Sequence, residues 1–218
     1  MTDKKKTKFD NIKILLLGDT NVGKTSIFER FIKGTFIENK SATIGIDFET
    51  NMLKYKNTNY TIDLYDIPGQ ERFRSIVPSY YRIVDGFFIV FDLTNENSLN
   101  SIQYWINTIK EFSKESKFII LGNKDDLKDK KISDEIINTE LNKLKESENN
   151  KDLIYLKTSA KKDKNIKKAF ETMIDLLENE NIPENELKQQ LKTNKNIKLD
   201  KKLHKKSKKE INRDKCGC

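Results

Sequence analysis

Cysteine is absent from this chain except at its very end. Its two cysteines are Cys216 and Cys218. No disulfide framework can therefore staple the body, and two thiolates alone do not complete a zinc site. Long apolar runs are missing as well. No stretch approaches the ~18 apolar residues that a membrane-spanning helix needs. No apolar segment of signal-peptide length follows the Lys4-Lys5-Lys6 start. The expectation is an intracellular protein whose membrane attachment, where it exists, comes from something other than a spanning helix. Hydrophobic residues make up only 35% of the 218. The deficit lies in surface Lys, Asn and Glu, and the apolar residues gather into runs that a disordered chain lacks.

Net positive charge is lacking in the body and concentrated in the tail. From Leu187 onward there are 12 Lys or Arg against 3 Asp or Glu, so the first 186 residues carry about −1 of the net +8. Such a tail suits nucleic acid or an anionic membrane. The chain has no nucleic-acid motif and no aromatics interleaved with the tail, which speaks against nucleic acid as a partner.

The apolar runs have an order. Ile12 to Leu17 reads as a buried central strand ending at Gly18. Lys24 to Phe31 has helical spacing. Ile46 to Leu53 and Tyr60 to Tyr65 read as an antiparallel pair around a polar turn, Lys56-Asn57-Thr58-Asn59. Phe87 to Phe91, Phe118 to Leu121 and Asp152 to Leu156 read as further strands. A helix through Leu99, Ile102, Ile106 and Ile109, one capped by Ser133, and one carrying Ile166, Phe170, Ile174 and Leu177 alternate with them. Alternation of this kind predicts an α/β fold: a mostly parallel sheet with helices on both faces. The domain reading is a short arm over 1–10, a folded body over 11–180, and a basic tail over 181–218. Pro183 marks the end of the body.

Gly18-Asp19-Thr20-Asn21-Val22-Gly23-Lys24-Thr25 matches the phosphate-loop pattern, between a strand and a helix as that pattern requires. Glycines let the backbone wrap a phosphate closely with its N–H groups, and the helix N-terminus adds its dipole. Asp19, Asn21, Val22, Gly23, Lys24 and Thr25 are the candidate phosphate contacts, with Lys24 reaching the β and γ phosphates and Thr25 offering a hydroxyl to Mg2+. This loop alone does not separate GTPases from ATPases and kinases.

Asn123-Lys124-Asp125-Asp126 follows a buried strand, Ser159-Ala160-Lys161 follows another, and Asp66-Ile67-Pro68-Gly69-Gln70 follows a third. With these motifs in this order, the chain resembles the Ras superfamily of small GTPases, and its Rab branch in particular, over roughly Asn11 to Leu177. Ile44-Gly45-Ile46-Asp47-Phe48, Gly69-Gln70-Glu71-Arg72-Phe73-Arg74 and Pro78-Ser79-Tyr80-Tyr81-Arg82 look like Rab signatures. The resemblance implies the P-loop GTPase fold, with a six-stranded, mostly parallel sheet, one antiparallel edge strand, and helices on both faces. It implies that Asp125 reads the guanine ring N1–H and amine, Asn123 braces the loop, Lys124 lies along the base, Ala160 points its N–H at O6 beside Ser159 and Lys161, and Phe36 packs on the base edge. It implies that Thr43 contacts Mg2+ and the γ-phosphate only with GTP bound, that Asp66 holds Mg2+ through water, that the Gly69 N–H meets the γ-phosphate, and that Gln70 orients the attacking water. GTP and GDP are the implied ligands. Phe48, Tyr65 and Tyr80 read as an aromatic cluster beside the switches.

The chain also departs from its family. Tyr65 stands where the family usually has tryptophan, and Pro68 where it has alanine. Proline fixes φ and removes an N–H, and it restricts Ile67 to extended conformations. Thr20 and Asn21 replace glycines of Ras, although Rab proteins often carry serine at the position of Thr20. No internal arginine finger is visible, so hydrolysis is expected to be slow until a GTPase-activating protein supplies one. The alternative is a hydrolysis-impaired, GTP-binding scaffold or pseudo-GTPase.

The terminal Cys216-Gly217-Cys218 does not fit the four-residue prenylation box. The Rab resemblance implies geranylgeranyl groups on both Cys216 and Cys218. Two lipids, or one with a basic patch, anchor firmly where one alone is marginal. The implied partners are an exchange factor, an activating protein, effectors, an escort protein and a GDP-dissociation inhibitor. The expectation is a monomer on the cytoplasmic face of an internal membrane, with a chaperone-bound cytosolic pool, regulating vesicle trafficking.

Overall fold

The computed structural model describes residues 11–38, 43, 45–69, 78–113, 116–129, 132–148 and 153–178. All of them lie within the unit Met1–Glu178. The N-terminal arm, Ile44, Gln70 to Arg74, Pro183, and the basic tail with Cys216 and Cys218 lie outside the described residues.

Six strands form one sheet in the order β2-β3-β1-β4-β5-β6: β1 (Asn11–Leu17), β2 (Asp47–Tyr55), β3 (Thr58–Asp66), β4 (Gly86–Asp92), β5 (Lys117–Asn123) and β6 (Ile154–Lys157). Only the edge pair β2–β3 is antiparallel, and every other pairing is parallel. The P-loop GTPase architecture is thus present, with β2 as the antiparallel edge strand. β1, β4 and β5 supply apolar side chains to both faces, which is why their sequences do not alternate. Ile12, Ile14, Leu16, Phe88, Val90, Ile119 and Leu121 pack with α1 (Lys24–Lys33) and α6 (Ile166–Glu178). Leu15, Leu17, Phe87, Ile89, Phe91 and Ile120 pack on the other face with α4 (Ile102–Phe112) and α5 (Asp134–Ser147). Phe170 of α6 centres the first layer, stacked on Phe31 at 3.5 Å and edge-on to Phe88 at 5.0 Å.

Most element ends shift by a residue or two from the sequence reading, and two differences have a visible cause. The β2–β3 turn is shorter than expected: only Lys56 and Asn57 form it, both left-handed, at φ 46 and 63. A two-residue turn of this hand matches the twist of the flanking strands, and so it draws Thr58 and Asn59 into β3. The helix read through Leu99 to Ile109 is two helices, α3 (Glu96–Asn100) and α4, meeting at Ser101. The side chain of Asn95 caps α3 by accepting the Asn97 N–H. A four-residue helix, α2 (Pro78–Tyr81), precedes β4. Ser133 caps α5 as expected, accepting the Ile136 N–H.

The register aligns the strand ends. Leu16 pairs with Asp66, Asp92 with Asn123, and Gly122 with Lys157. The loops leaving β1, β3, β5 and β6 therefore emerge along one edge of the sheet. That edge is where open α/β sheets bind ligands.

Candidate nucleotide-binding site

The loop from Gly18 to Gly23 is shaped by its two glycines. A Cβ on Gly18, at φ 138, would lie 2.1 Å from the Val90 carbonyl oxygen. One on Gly23, at φ 97, would lie 2.3 Å from the Asn123 side-chain nitrogen. No other residue fits either place. Gly23 precedes Lys24, the first residue of α1, so the helix N-terminus faces the loop. Lys24 is buried, and its Nζ donates to the carbonyls of Gly18 at 2.9 Å and Asp19 at 2.8 Å. Burial lowers its pKa to about 8, against the opposing pull of the Asp66 and Asp19 carboxylates.

The segment after β3 closes onto this loop. A Cβ on Gly69 would stand 2.5 Å from Lys24 Nζ and 2.7 Å from both the Asp19 carbonyl carbon and the Thr20 nitrogen. Asp66, at the end of β3, is fully buried. The hydroxyls of Thr25 and Thr43 lie 2.8 Å apart.

The far end of the site is organised by Asn123, which is 2% exposed. Its Nδ2 donates to the Val22 carbonyl at 3.0 Å. Its Oδ1 accepts the Ala160 N–H at 3.3 Å and the Thr158 hydroxyl at 3.4 Å. One buried amide thus ties the phosphate loop to the loop after β6. Lys124, held at φ 64, pairs its Nζ with Asp92 at 2.6 Å.

A cavity of about 380 Å³ joins the two ends. Asn21, Gly23, Lys24, Thr25, Phe36, Thr43, Gly69, Asn123, Lys124, Ala160 and Lys161 all line it, so most of the site residues expected from sequence converge there. Asp19, Val22, Asp66, Asp125 and Ser159 are not among the lining residues. Val22 is buried in the core, leaving its carbonyl to Asn123.

Asp125, expected from the sequence to read the base, does not line the cavity. Asp125 is turned away from the cavity: its side chain is 3% exposed and forms an ion pair with Lys164. Asp126 lines the cavity instead, and Ser159 Oγ donates to its Oδ1 at 2.5 Å. The reason is one residue of phase. In Asn-Lys-x-Asp counted from Asn123, the final carboxylate falls on Asp126 and not on the adjacent Asp125. Ser159 acts behind the wall, also accepting the Lys162 N–H at 3.0 Å.

Sequence reading also missed Ile37, Glu38 and Leu127 at the cavity wall, where Glu38 pairs with Lys161. It missed Arg30, whose guanidinium donates to the carbonyls of Ala160 at 2.7 Å and Lys161 at 3.2 Å. Nothing local marks Arg30, because its partners are 130 residues away.

A family model described as Ras family matches residues 13–179. It belongs to the Ras family. This Ras-family chain is 36% identical over 162 residues to the GTP-binding protein ypt1 of Schizosaccharomyces pombe, covering 74% of this chain and 77% of that protein. It is 34% identical over 168 residues to the Ras-related protein RIC1 of Oryza sativa subsp. japonica, covering 77% and 80%. These relatives are Rab-like, within the Ras superfamily of P-loop GTPases. Membership carries GTP and GDP binding with Mg2+, GTP hydrolysis and nucleotide cycling, and the general company of exchange factors, activating proteins, effectors and dissociation inhibitors.

The donors present fit that metal. Two hydroxyls 2.8 Å apart and a buried carboxylate are hard oxygen ligands. Mg2+ takes a few such ligands and completes its shell with phosphate oxygens and water. Beside the site, Phe48 and Tyr65 meet at 4.8 Å with their rings tilted by 36°, and Tyr65 meets Tyr80 at 5.6 Å edge to face. The expected aromatic trio is assembled, with Phe48 half exposed. Among the described residues, no helix is long and apolar enough to cross a membrane.

Proposed function

We propose that this Ras-family chain is a Rab-like switch regulating vesicle trafficking, selective for guanine nucleotides through Asp126. The observation that carries the reading is the shared cavity, which has the phosphate loop at one end and the Asp126 carboxylate, fixed by Ser159, at the other. A carboxylate only accepts hydrogen bonds. Guanine offers it the ring N1–H and exocyclic amine, whereas adenine would leave it unpaired at a cost of about 1–3 kcal/mol or more. Thr25, Thr43 and Asp66 would hold Mg2+, which when bound neutralises charge on the β and γ phosphates. Lys24, already on the loop carbonyls, is placed to turn to those phosphates, whose charge would raise its pKa again. The Gly69 N–H is assigned to the γ-phosphate and Gln70 to the attacking water. Hydrolysis stays slow until an activating protein contributes an arginine.

Titration of the purified chain with fluorescent GDP and ADP tests the reading, and equal affinities would end it. A hydrolysis-impaired form of the same switch is the second reading. It is favoured by Pro68, which is buried immediately before Gly69. Single-turnover hydrolysis of the native chain and of Pro68→Ala separates the two.

Membrane attachment belongs to the same proposal. Dual geranylgeranylation of Cys216 and Cys218, assisted by the basic residues from Lys201 to Lys209, would hold the switch on the cytoplasmic face of an internal membrane. An escort protein would deliver it for lipidation, and a dissociation inhibitor would extract it. Intact-mass measurement on protein from its native cell is the check: two prenyl masses are expected, and none or one would refute it.

A further inference from the structure

The phosphate loop contains a carboxylate at Asp19, in a place built to receive polyphosphate. A free aspartate there is a liability on two counts. Its charge repels the ligand, and its oxygens bond readily to backbone N–H groups one or two residues on, the same donors that the phosphate needs. Thr20 and Asn21, next in sequence, line the cavity, whereas Asp19 does not. Its side chain is taken up elsewhere. The indole Nε1 of Trp105, on α4 and 5% exposed, donates to Asp19 Oδ1 at 3.0 Å.

Asp19 is also where three elements meet. Its carbonyl accepts from Lys24 of α1 at 2.8 Å. Its carbonyl carbon lies 2.7 Å from the place a Cβ on Gly69 would occupy. Its carboxylate is held by α4. Fixing the side chain therefore fixes the carbonyl that positions Lys24 and the surface on which Gly69 rests.

We propose that Trp105 is a positioning residue for phosphate recognition: its indole N–H holds the Asp19 carboxylate out of the nucleotide cavity and keeps the loop's N–H groups available to the β and γ phosphates. Indole suits this role because it donates and never accepts, and so does not itself compete for those donors. A phenyl ring would fill much of the same space without holding the carboxylate. The inference rests on the nucleotide-binding reading of the site and adds to it a residue from outside the phosphate loop.

The test compares GDP and GMP binding by the full chain and by Trp105→Phe. Losing a hydrogen bond to a charged group is worth roughly a tenfold change. GDP affinity is expected to fall about tenfold, with GMP, which lacks the β phosphate, little changed. Adding Asp19→Ala to Trp105→Phe removes the liberated carboxylate and is expected to recover most of the GDP affinity. Equal losses for GDP and GMP, no loss at all, or no recovery in the double variant would overturn the proposal. Trp105 is the only tryptophan. Where Trp105→Phe loosens α4, replacing tryptophan throughout with its benzothiophene analogue therefore changes this one residue, keeping its shape and removing its N–H. The same GDP-specific loss is expected there, and unchanged GDP affinity would overturn the proposal. Failure of the unaltered chain to bind GDP would refute the site reading itself, an outcome distinct from any difference between variants.

Discussion

Gly69→Ala is the sharpest perturbation available in the switch. The added methyl carbon would lie 2.5 Å from Lys24 Nζ and 2.7 Å from two backbone atoms of the phosphate loop. Ordinary carbon contacts begin near 3.5 Å, so the closing segment must retreat by close to 1 Å. Lys24 Nζ can leave when it turns to the phosphates, but the Asp19 carbonyl carbon and the Thr20 nitrogen are backbone atoms and cannot swing aside. The phosphate loop is held from behind by Asn123 and Trp105. The yielding part is therefore the segment carrying Gly69. A retreat of that size takes the Gly69 N–H out of hydrogen-bonding range of a γ-phosphate. A bond to a charged acceptor is worth about 1.5–3 kcal/mol. The affinity for a non-hydrolysable GTP analogue should accordingly fall by roughly 10- to 150-fold relative to GDP, with single-turnover hydrolysis falling at least as far. The assay is competition of both nucleotides against a fluorescent reporter, with hydrolysis followed by quenched flow or chromatography. An unchanged ratio of GTP-analogue to GDP affinity would refute the reasoning, because it would mean that the closed contact plays no part in sensing the γ-phosphate.

Other substitutions probe the rest of the site. Asp126→Asn should erode the preference for guanine over adenine nucleotides by at least tenfold, while Asp125→Asn should leave it largely intact; competition binding reads both. Asn123→Ala leaves the buried Val22 carbonyl and Ala160 N–H without their partner. It should lower stability by about 2–4 kcal/mol, measured by urea unfolding of the nucleotide-free chain. Tyr60 donates to Glu178 at 2.7 Å, and burial, then that carboxylate, push its pKa up to about 12. Its stabilising contribution is present below pH 10 and is lost as pH rises from 10 to 12. Tyr60→Phe should abolish that part of the decline, and an identical profile in the variant would contradict it.

The sheet was legible because its strands announce themselves. Phe87 to Phe91 is apolar at every position and Ile12 to Leu17 at every position but Lys13, which only a strand covered on both faces requires. The phosphate loop was legible because close approach to a phosphate dictates glycine at fixed places, and Gly18 and Gly23 meet neighbours at 2.1 and 2.3 Å. Boundaries were less visible. The shift of Thr58 and Asn59 into β3 depends on Lys56, a residue with no special liking for left-handed backbone, accepting it for the sake of the turn. The division at Ser101 leaves no mark in the apolar spacing. Which of two adjacent aspartates faces the cavity is legible by counting Asn-Lys-x-Asp from Asn123, which ends on Asp126; the partners that fix each, Lys164 for Asp125 and Ser159 for Asp126, are not, because both arrive from the loop after β6. Arg30 and Trp105 were invisible as site residues for the same reason. Each reads as an ordinary helix residue until the sheet brings its partner to it.

This division between legible and illegible residues follows from how the site works. Residues that touch the nucleotide are constrained by the nucleotide's own shape, and so they fall into short motifs. Residues that hold those motifs in place are constrained only by where the fold happens to put them. Asn123 does both: it stands in a motif, and it joins the phosphate loop to the loop after β6 through Val22 and Ala160. That link is a single buried side chain, bonded at both ends. Removing it should therefore be felt at both the phosphate and the base. Trp105→Phe, placed to act on the phosphates alone, offers a clean comparison: its GDP loss should add to that of Asp126→Asn, whereas the loss from Asn123→Ala should not. Strict additivity of Asn123→Ala with Asp126→Asn would mean that the two ends are read separately.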